Sequence, residues 1–432
     1  MRTKEIAIVM SAVATTLAMT LAGPSAASSA PSDPRTPAGY LADPTDPAVT
    51  SLAAEYDISV EEAQARIGWQ EAAIELHDRL AVEDAEHFGG LWFDQADGGR
   101  VKIGVVGSTS ETRDAVDAAG ISNVTSIVPV ENTWAQLTKD LLELEVAAKE
   151  ISYLSGHAGQ VAGIATKPSE NRNVLYVPDT VLAARSAATV VDSLRESLGS
   201  RLAVDSSIDA TTVHDEACML SPRTCDAPLR GGINFHTVNT DIGDCSTAFN
   251  ARSVSDGNWY MMTAGHCGYV DHVFDVYQLK TSMYHRVGHM HSRNDSNNDD
   301  WGIVTINNVS GWAPRNWVRV YDSADTVPDE SYTITATATS PEGTRVCLSG
   351  KSTGTSCGDV VELNLGGTGG WARAHYCHDP GDSGGAVYSN HRARGIHTGV
   401  WGTPIEDDQC HRAIFQGVVE VEREANVRVY TG

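Results

Sequence analysis

The first 210 residues of the chain contain no cysteine, although the chain as a whole has 8. It also lacks an excess of positive charge, because the formal net charge is −25 at pH 7. A chain this acidic is poorly suited to bind nucleic acid or anionic lipid. No apolar run after residue 22 is long enough to span a bilayer, which excludes a multi-span membrane protein. The remaining composition, 41% apolar and 20% charged, is that of a globular protein.

The amino-terminal segment has the pattern of an export signal. Arg2 and Lys4 precede an apolar run over residues 6–22, and small residues follow that run. We therefore expect residues 1–28 to be a signal peptide. The alternative is a membrane anchor, but the run is diluted by Thr and Ser and ends in a cleavable pattern. Residues 29–50 are rich in Pro, Ser, Asp and Thr, which predicts a flexible linker.

Residues 51–215 alternate between helical and strand-like patterns. The alternating run 101–106 predicts a strand, and the spacing of leucines over residues 134–153 predicts a long helix. Such alternation indicates an α/β (α+β) unit. No catalytic or metal-ligand cluster stands out in this sequence, and three isolated histidines are expected to have structural roles: His77, His87 and His157.

The cysteine-bearing part, residues 216–432, has a different texture. Gly, Ser, Thr and Asn become frequent, and short strand-like runs recur between turn residues. This pattern predicts an all-β sandwich or barrel, and about 200 residues are enough for one large core or two small barrels. The predicted strands include residues 259–263, 302–306, 331–336, 360–363, 384–388 and 415–419.

Two motifs in this part point to nucleophilic catalysis: Thr263-Ala264-Gly265-His266-Cys267 and Gly381-Asp382-Ser383-Gly384-Gly385. Between them lies the sequence Asn298-Asp299-Asp300-Trp301-Gly302. A serine hydroxyl needs an adjacent base, which a histidine supplies, and a buried carboxylate then fixes the histidine tautomer. Singly, the motifs are also compatible with a strand end, a tight turn, or a solvated or calcium-binding loop. Their joint occurrence in an exported, disulfide-bearing segment favours a serine hydrolase.

The carboxyl-terminal part resembles the chymotrypsin-like serine peptidases, and within them the bacterial streptogrisin and α-lytic branch. The resemblance implies two six-stranded antiparallel β-barrels of the trypsin-like type, with the site between them. It makes His266 the general base, Ser383 the nucleophile and Asp300 the orienting carboxylate. Asp300 is preferred to Asp299 because the family places this carboxylate directly before an aromatic-Gly pair. The N–H groups of Gly381 and Ser383 match the oxyanion hole.

The same resemblance selects disulfide bonds, which the cysteine count alone leaves open among roughly a hundred pairings. Three pairs are implied by the family: Cys245–Cys267, Cys347–Cys357 and Cys377–Cys410. The two remaining cysteines, Cys218 and Cys225, are close in sequence, and we expect them to pair.

The resemblance also implies that residues 51–215 are a pro-region that assists folding and inhibits the product. β-Barrels contain many long-range contacts and fold slowly, so a removable template has a physical reason. The segment Gly90-Leu91-Trp92-Phe93-Asp94 fits such a pro-region. The alternative is a separate binding domain that stays attached. The junction with the mature part falls between residues 205 and 230 and is not sharply readable.

One departure from the family concerns Asp382, the residue before the nucleophile. The branch has a basic residue directly after the first cysteine of the small loop, where it pairs with this buried carboxylate. Here that residue is Leu348. Because an unpaired buried carboxylate would be costly, Asp382 needs another partner. The sequence leaves three open: Arg345, a new amino terminus or a hydrogen-bond network.

The resemblance places the substrate pocket between two segments near Ser383. Its expected walls are His375, His378, His397, Thr398, Gly399 and Val400, with Ala413 deeper. No carboxylate lies where it would bind Lys or Arg, so a tryptic preference is not expected. His397 matches a histidine of glutamyl endopeptidases and suggests a preference for glutamate. Val400 would instead narrow an apolar pocket and favour small or medium apolar residues, which is the preference that we expect from the sequence.

As a whole, the sequence predicts a secreted, extracellular serine endopeptidase that is made as a pre-pro-protein (a zymogen) and is monomeric. Its expected partners are polypeptide substrates and its own pro-region. We expect no cofactor, no metal, no nucleic acid and, after removal of the signal, no membrane. The alternative function is an exported binding protein on an inactive peptidase scaffold, against which the intact His266, Asp300 and Ser383 argue.

Overall fold

The computed structural model describes the chain in stretches: residues 41–154, 163–206, 213–214, 227–238, 242–278, 281, 283–296, 299–321, 330–367, 370–401 and 410–432. These stretches belong to one unit of the chain. The expected signal peptide, the junction at residue 215, His157, and the pair Cys218 and Cys225 lie outside the described residues. Among the helices of the described stretches, none is long and apolar enough to cross a membrane.

The cysteine-free region combines helices with two three-stranded sheets, β1–β2–β3 and β4–β5–β6. Its elements are α1 Pro47–Glu55, α2 Val60–Glu83, β1 Phe88–Asp94, β2 Arg100–Val105, α3 Ser110–Ala118, β3 Thr125–Pro129, α4 Trp134–Leu154, β4 Gly163–Lys167, β5 Arg172–Tyr176, α5 Asp179–Leu182, α6 Arg185–Leu198, β6 Leu202–Asp205 and β7 Val213–His214.

Local sequence explains where these elements begin. The Ser59 side chain accepts a hydrogen bond from the Glu62 N–H and caps α2. Asp46 caps α1 in the same way, so helix begins at Pro47 and the expected linker does not extend to residue 50. The helical segment after β5 is divided into α5 and α6 because Ala184 between them adopts extended backbone angles.

A first barrel follows, and its wall is made of six antiparallel strand positions. Its elements and the connection after it are β8 Asn234–Thr237, β9 Asp244–Ser246, β10 Asn250–Ser253, β11 Trp259–Thr263, β12 Val273–Gln278, β13 Met283–Ser296, β14 Asp299–Thr305, α7 Val309–Trp312, β15 Trp317–Val320, β16 Glu330–Thr333 and β17 Ala336–Thr337. β9 and β10 are consecutive segments that together occupy one of these six strand positions. The Thr247 N–H donates to the Ile233 carbonyl and the Ala248 N–H to the Met262 carbonyl, which closes the barrel.

The second barrel closes through the pairing of β18 with β19. Its strand order is β18–β21–β22–β23–β20–β19, and the remaining elements are β18 Arg345–Gly350, β19 Gly354–Leu365, β20 Trp371–Ala374, β21 Ala386–Ser389, β22 Arg392–Trp401, β23 Ala413–Gly417, α8 Val418–Glu424 and β24 Val427–Val429. The two-barrel prediction is confirmed. The strand predicted over 415–419 is wrong at its end, because α8 begins at Val418.

The cysteine-free region is docked on the second barrel. β4 pairs with β19, which places the β4–β5–β6 sheet beside the barrel strands. β7 pairs antiparallel with the end of β22, with His214 opposite Val400. α2 adds a buried ion pair between Glu71 and Arg394. Strand pairing and buried charge therefore join the two parts.

Candidate active site

His266 and Asp300 meet at the end of the first barrel. His266 lies on a short 3₁₀ turn, Gly265–Cys267, that follows β11, and Asp300 lies on the neighbouring strand β14. Asp300 Oδ2 is 2.8 Å from His266 Nδ1, and Asp300 Oδ1 accepts the His266 backbone N–H at 2.9 Å. Because Asp300 is only 2% exposed, this carboxylate fixes both the backbone and the ring of His266.

The two neighbouring carboxylates have different partners. Asp299 Oδ2 accepts a hydrogen bond from Asn294 Nδ2 at 2.9 Å, whereas the His266 ring is bonded to Asp300. Side chains alternate across a strand, so adjacent residues of β14 face opposite ways. This alternation places only one of the two carboxylates toward the histidine.

The loop that carries Ser383 lies against the His266 turn. The Ser246 N–H donates to the Ser383 carbonyl at 2.7 Å, and Cys267 Sγ lies 3.8 Å from the same oxygen. Gly384 has φ +81°, and a Cβ there would lie 2.1 Å from Thr263 Oγ1. The close approach of the two loops therefore requires glycine after Ser383.

Two backbone N–H groups of this loop are available for an oxyanion. Gly381 has φ +100°, a conformation that favours glycine. Neither the Gly381 N–H nor the Ser383 N–H donates to an acceptor within the described part of the protein. The Ser383 hydroxyl donates to the Thr398 carbonyl at 3.3 Å. The two N–H groups can therefore donate hydrogen bonds to the negative charge that develops on a substrate carbonyl oxygen.

A backbone network holds Asp382, and it resolves the question raised by Leu348. The carboxylate accepts N–H groups of Ser352 at 2.7 Å, of Asp379 at 2.9 Å and of Thr353 at 3.1 Å. Arg345 bonds elsewhere, to Asp359 and Glu55. Of the three partners left open by the sequence, the structure contains the hydrogen-bond network.

The described part of the chain contains three disulfides, and they join the pairs that the family resemblance implied. Cys245–Cys267 fixes the His266 turn to β9, and Cys347–Cys357 links directly opposed residues of β18 and β19. Cys377–Cys410 connects the segment before Ser383 to the start of β23.

The expected pocket residues lie on β22, on β23 and on the segment before Ser383. His397 is fully buried, and its Nδ1 is 3.0 Å from the Tyr376 hydroxyl. The His378 ring lies 5.0 Å from the His397 ring. Val400 on β22 is opposite Ala413 on β23. Thr398 and Gly399 complete the β22 wall, while the His375 ring faces His411 at 5.3 Å.

Three residues near the site have contacts that the sequence does not indicate. The Tyr376 hydroxyl forms a hydrogen bond with His397 Nδ1. Lys351 is fully buried beside Gly381, where a Cβ on the glycine would lie 2.4 Å from Lys351 Cε. Gln416 accepts the Asp300 backbone N–H at 3.1 Å. No motif marks these positions, because each contact is made between distant segments.

Comparison with known proteins gives the family. No family model matches the chain. Serine protease 2 of Streptomyces fradiae is 33% identical over 166 residues, which cover 36% of this chain and 87% of that protein. The chain belongs to the chymotrypsin-like serine peptidases of bacteria. It is accordingly a serine endopeptidase of the trypsin-like fold.

Two further relatives place this peptidase within the group. Streptogrisin-C of Streptomyces griseus is 29% identical over 180 residues, covering 40% of this chain but only 35% of that protein. Glutamyl endopeptidase 2 of the same organism is 28% identical over 192 residues, covering 43% of this chain and 93% of that protein. The chain thus spans about a third of the length of streptogrisin-C and nearly all of the other two relatives.

Proposed function

We propose that the chain is an exported serine endopeptidase that cleaves polypeptides through an acyl-enzyme on Ser383. The observation that carries the proposal is the pair of hydrogen bonds that Asp300 accepts from His266. One comes from the ring Nδ1 at 2.8 Å and the other from the backbone N–H at 2.9 Å. That geometry leaves Nε2 as the basic nitrogen, since the carboxylate holds the proton on Nδ1. The intact residues favour an enzyme over a binding protein on an inactive scaffold.

The proposed reaction has two halves. Ser383 Oγ bonds to the substrate carbonyl carbon as its proton moves to His266 Nε2, and the oxyanion accepts the N–H groups of Gly381 and Ser383. The C–N bond then breaks as the imidazolium gives its proton to the leaving amine. A water molecule, deprotonated by His266, attacks the ester carbonyl, and Oγ regains its proton as the acid product leaves.

Labelling with a fluorophosphonate tests the proposal. The secreted product should label at Ser383 and hydrolyse peptides, and Ser383→Ala should abolish both. If processing is autocatalytic, this variant should also accumulate at the size of the uncleaved chain. A folded secreted product that fails to label would support the binding protein instead.

We further propose that the cysteine-free region is a pro-region that inhibits the enzyme. The support is the pairing of β7 with β22, since an extended substrate also binds by adding a strand to an exposed sheet edge. Val213 and His214 would occupy the backbone positions that a substrate uses beside Val400. Folding assistance is supported by the pairing of β4 with β19, which supplies a preformed strand to the second barrel.

For the residue before the scissile bond we propose a preference for glutamate. The support is the buried group of His397, Tyr376 and His378, which a substrate carboxylate would complement. The similarity to glutamyl endopeptidase 2 agrees with this preference. A peptide series differing only at that residue tests it. Faster cleavage after Ala, Val or Leu than after Glu would favour the apolar pocket narrowed by Val400.

A further inference from the structure

A buried amide joins the orienting carboxylate to a group of acidic side chains. Gln416 on β23 is fully buried. Its Oε1 accepts the Asp300 backbone N–H at 3.1 Å, and its Nε2 donates to Glu420 Oε2 at 3.0 Å. Both ends of the amide are therefore used, one toward the His266–Asp300 pair and the other toward α8.

Glu420 belongs to a cluster of three carboxylates. Oxygens of Asp299, Glu420 and Glu424 lie within 4.8 Å of one another. Burial, Asp299 and Glu424 raise the pKa of Glu420 to about 7. Burial and Glu424 raise the pKa of Asp299 to about 6. The cluster therefore changes its charge near neutral pH, directly behind the carboxylate that orients His266.

Other charged and polar groups face the cluster from four elements. On α8, Arg423 lies 2.9 Å from Glu420 and 3.8 Å from Glu424. The Trp301 indole N–H of β14 donates to Glu424 at 3.0 Å, and Asn294 of β13 donates to Asp299. Glu145 of α4 adds a negative charge that raises the pKa of Asp299 further. Among the described residues around the cluster, Arg423 thus faces four carboxylates, of which all but Glu145 belong to the cysteine-bearing part.

The ionisation of Glu420 changes the hydrogen bonds that its carboxyl group can offer to the Gln416 amide. An ionised carboxylate only accepts hydrogen bonds, so it binds the NH₂ end of Gln416 and leaves the oxygen end for the Asp300 N–H. A protonated Glu420 can donate as well, and it can then satisfy the oxygen end. The reversed amide would present NH₂ to the Asp300 N–H, which is a clash between two donors.

We propose that Gln416 is a positioning residue for Asp300 and that the ionisation of Glu420 sets the orientation of its amide. Turnover then depends on two ionisations on the acid side, that of His266 and that of Glu420. The inference rests on the proposed serine endopeptidase function. It assigns to the acidic cluster a role in the pH response of the enzyme.

The test is the pH dependence of kcat and KM for the secreted product of the full chain, with active enzyme counted by fluorophosphonate titration. On the acid side, log kcat of the unaltered enzyme should approach a slope of about two. Glu420→Gln cannot ionise, and its NH₂ group can donate to the oxygen end of Gln416 as a protonated Glu420 can. The slope should therefore fall to about one, and kcat at high pH should fall as well. Glu420→Asp keeps the ionisation and should retain the steeper slope.

Gln416→Leu tests the positioning role directly. Loss of both hydrogen bonds should lower kcat by roughly ten- to a hundredfold while KM changes little. If this variant does not fold, the slope of Glu420→Gln decides alone. An unaltered slope in Glu420→Gln, with the parent enzyme fully active, overturns the inference. A parent chain that neither labels nor cleaves peptides instead overturns the proposed function.

Discussion

At the scale of single residues, the loop before Ser383 relies on backbone hydrogen bonds where the family uses a side-chain ion pair. Asp382 is fully buried and accepts N–H groups from Ser352, Thr353 and Asp379. These bonds require close approach of the backbone, and a Cβ on Gly350 would lie 2.3 Å from Asp382 Oδ1. Glycine at 350 and aspartate at 382 are thus sterically matched.

Gly350→Ala should therefore disrupt the proposed oxyanion hole. The added methyl must displace the Asp382 carboxylate from at least one charged hydrogen bond, which costs about 1–3 kcal/mol in the free energy of unfolding. We expect kcat/KM to fall and the fluorophosphonate labelling rate to fall with it. Ser352→Ala is the control, since it keeps the N–H that binds Asp382 and loses only the hydroxyl bond to Pro380. Equal activity of both variants would contradict the steric match.

At the scale of elements, β22 has two functions at once. Along most of its length it pairs with β21 and β23, and at its end it pairs with β7. Only residues Val213–His214 make this last pairing among the described stretches. In the proposed pro-region, so short an added strand would cover the edge of β22 and still be weak enough to dissociate.

Pairing of β7 can be removed without altering the barrel. His214→Pro removes a backbone N–H and restricts the chain, whereas His214→Ala keeps the backbone donor. We expect the freshly made full chain carrying His214→Pro to label with fluorophosphonate at least about fivefold faster than the chain carrying His214→Ala. This factor corresponds to the free energy of one lost hydrogen bond between β7 and β22. Equal labelling rates would show that β7 does not limit access to Ser383.

α8 makes stability depend on pH through Glu420. Its pKa is raised from 4.5 to about 7, so between these values the folded chain holds a proton that the unfolded chain has lost. The free energy of unfolding should therefore fall as pH rises through this window. Thermal melts at about pH 5 and about pH 8 should show a higher Tm at the lower pH, and the Tm difference should shrink in Glu420→Gln. An unchanged difference in that variant would assign the effect to other groups.

At the scale of the whole molecule, buried charge couples the cysteine-free region to the second barrel. Glu71 of α2 is 5% exposed and pairs with Arg394, which is 1% exposed. Glu71 also lies 2.7 Å from Arg392. These arginines belong to β22, so separation of the two parts would return both charges to water. Such an interface is compatible with the proposed pro-region, which would bind during folding and dissociate later.

Removing the buried acid should weaken this coupling much more than removing an exposed one. Glu71→Gln leaves Arg394 buried without its counter-charge, a loss of about 3–5 kcal/mol. Glu75→Gln removes a carboxylate on the same helix that also reaches Arg392, at 3.4 Å, but is mostly exposed. We expect the yield of active secreted enzyme to fall steeply for the first variant and little for the second. Similar yields would mean that the buried pair does not contribute to folding.

The sequence predicted the features that local patterns encode. Periodicity located the helix Trp134–Leu154, and short strands between turn residues indicated the barrels. The family motifs led to His266, Asp300 and Ser383. The strand expected through residue 419 was wrong, since apolar residues of β23 and α8 run together without a turn signal.

What the sequence determined by itself is chemistry carried by neighbouring residues: the histidine turn, the nucleophile loop and the distribution of cysteines. Only the tertiary structure decided the partners of Asp382, the bridge from Asp300 through Gln416 to Glu420, and the pairing of β7 with β22. These contacts join segments that are distant along the chain, so they depend on strand order and on backbone approach. A linear pattern records which groups are present, and the folded barrel determines which of them meet.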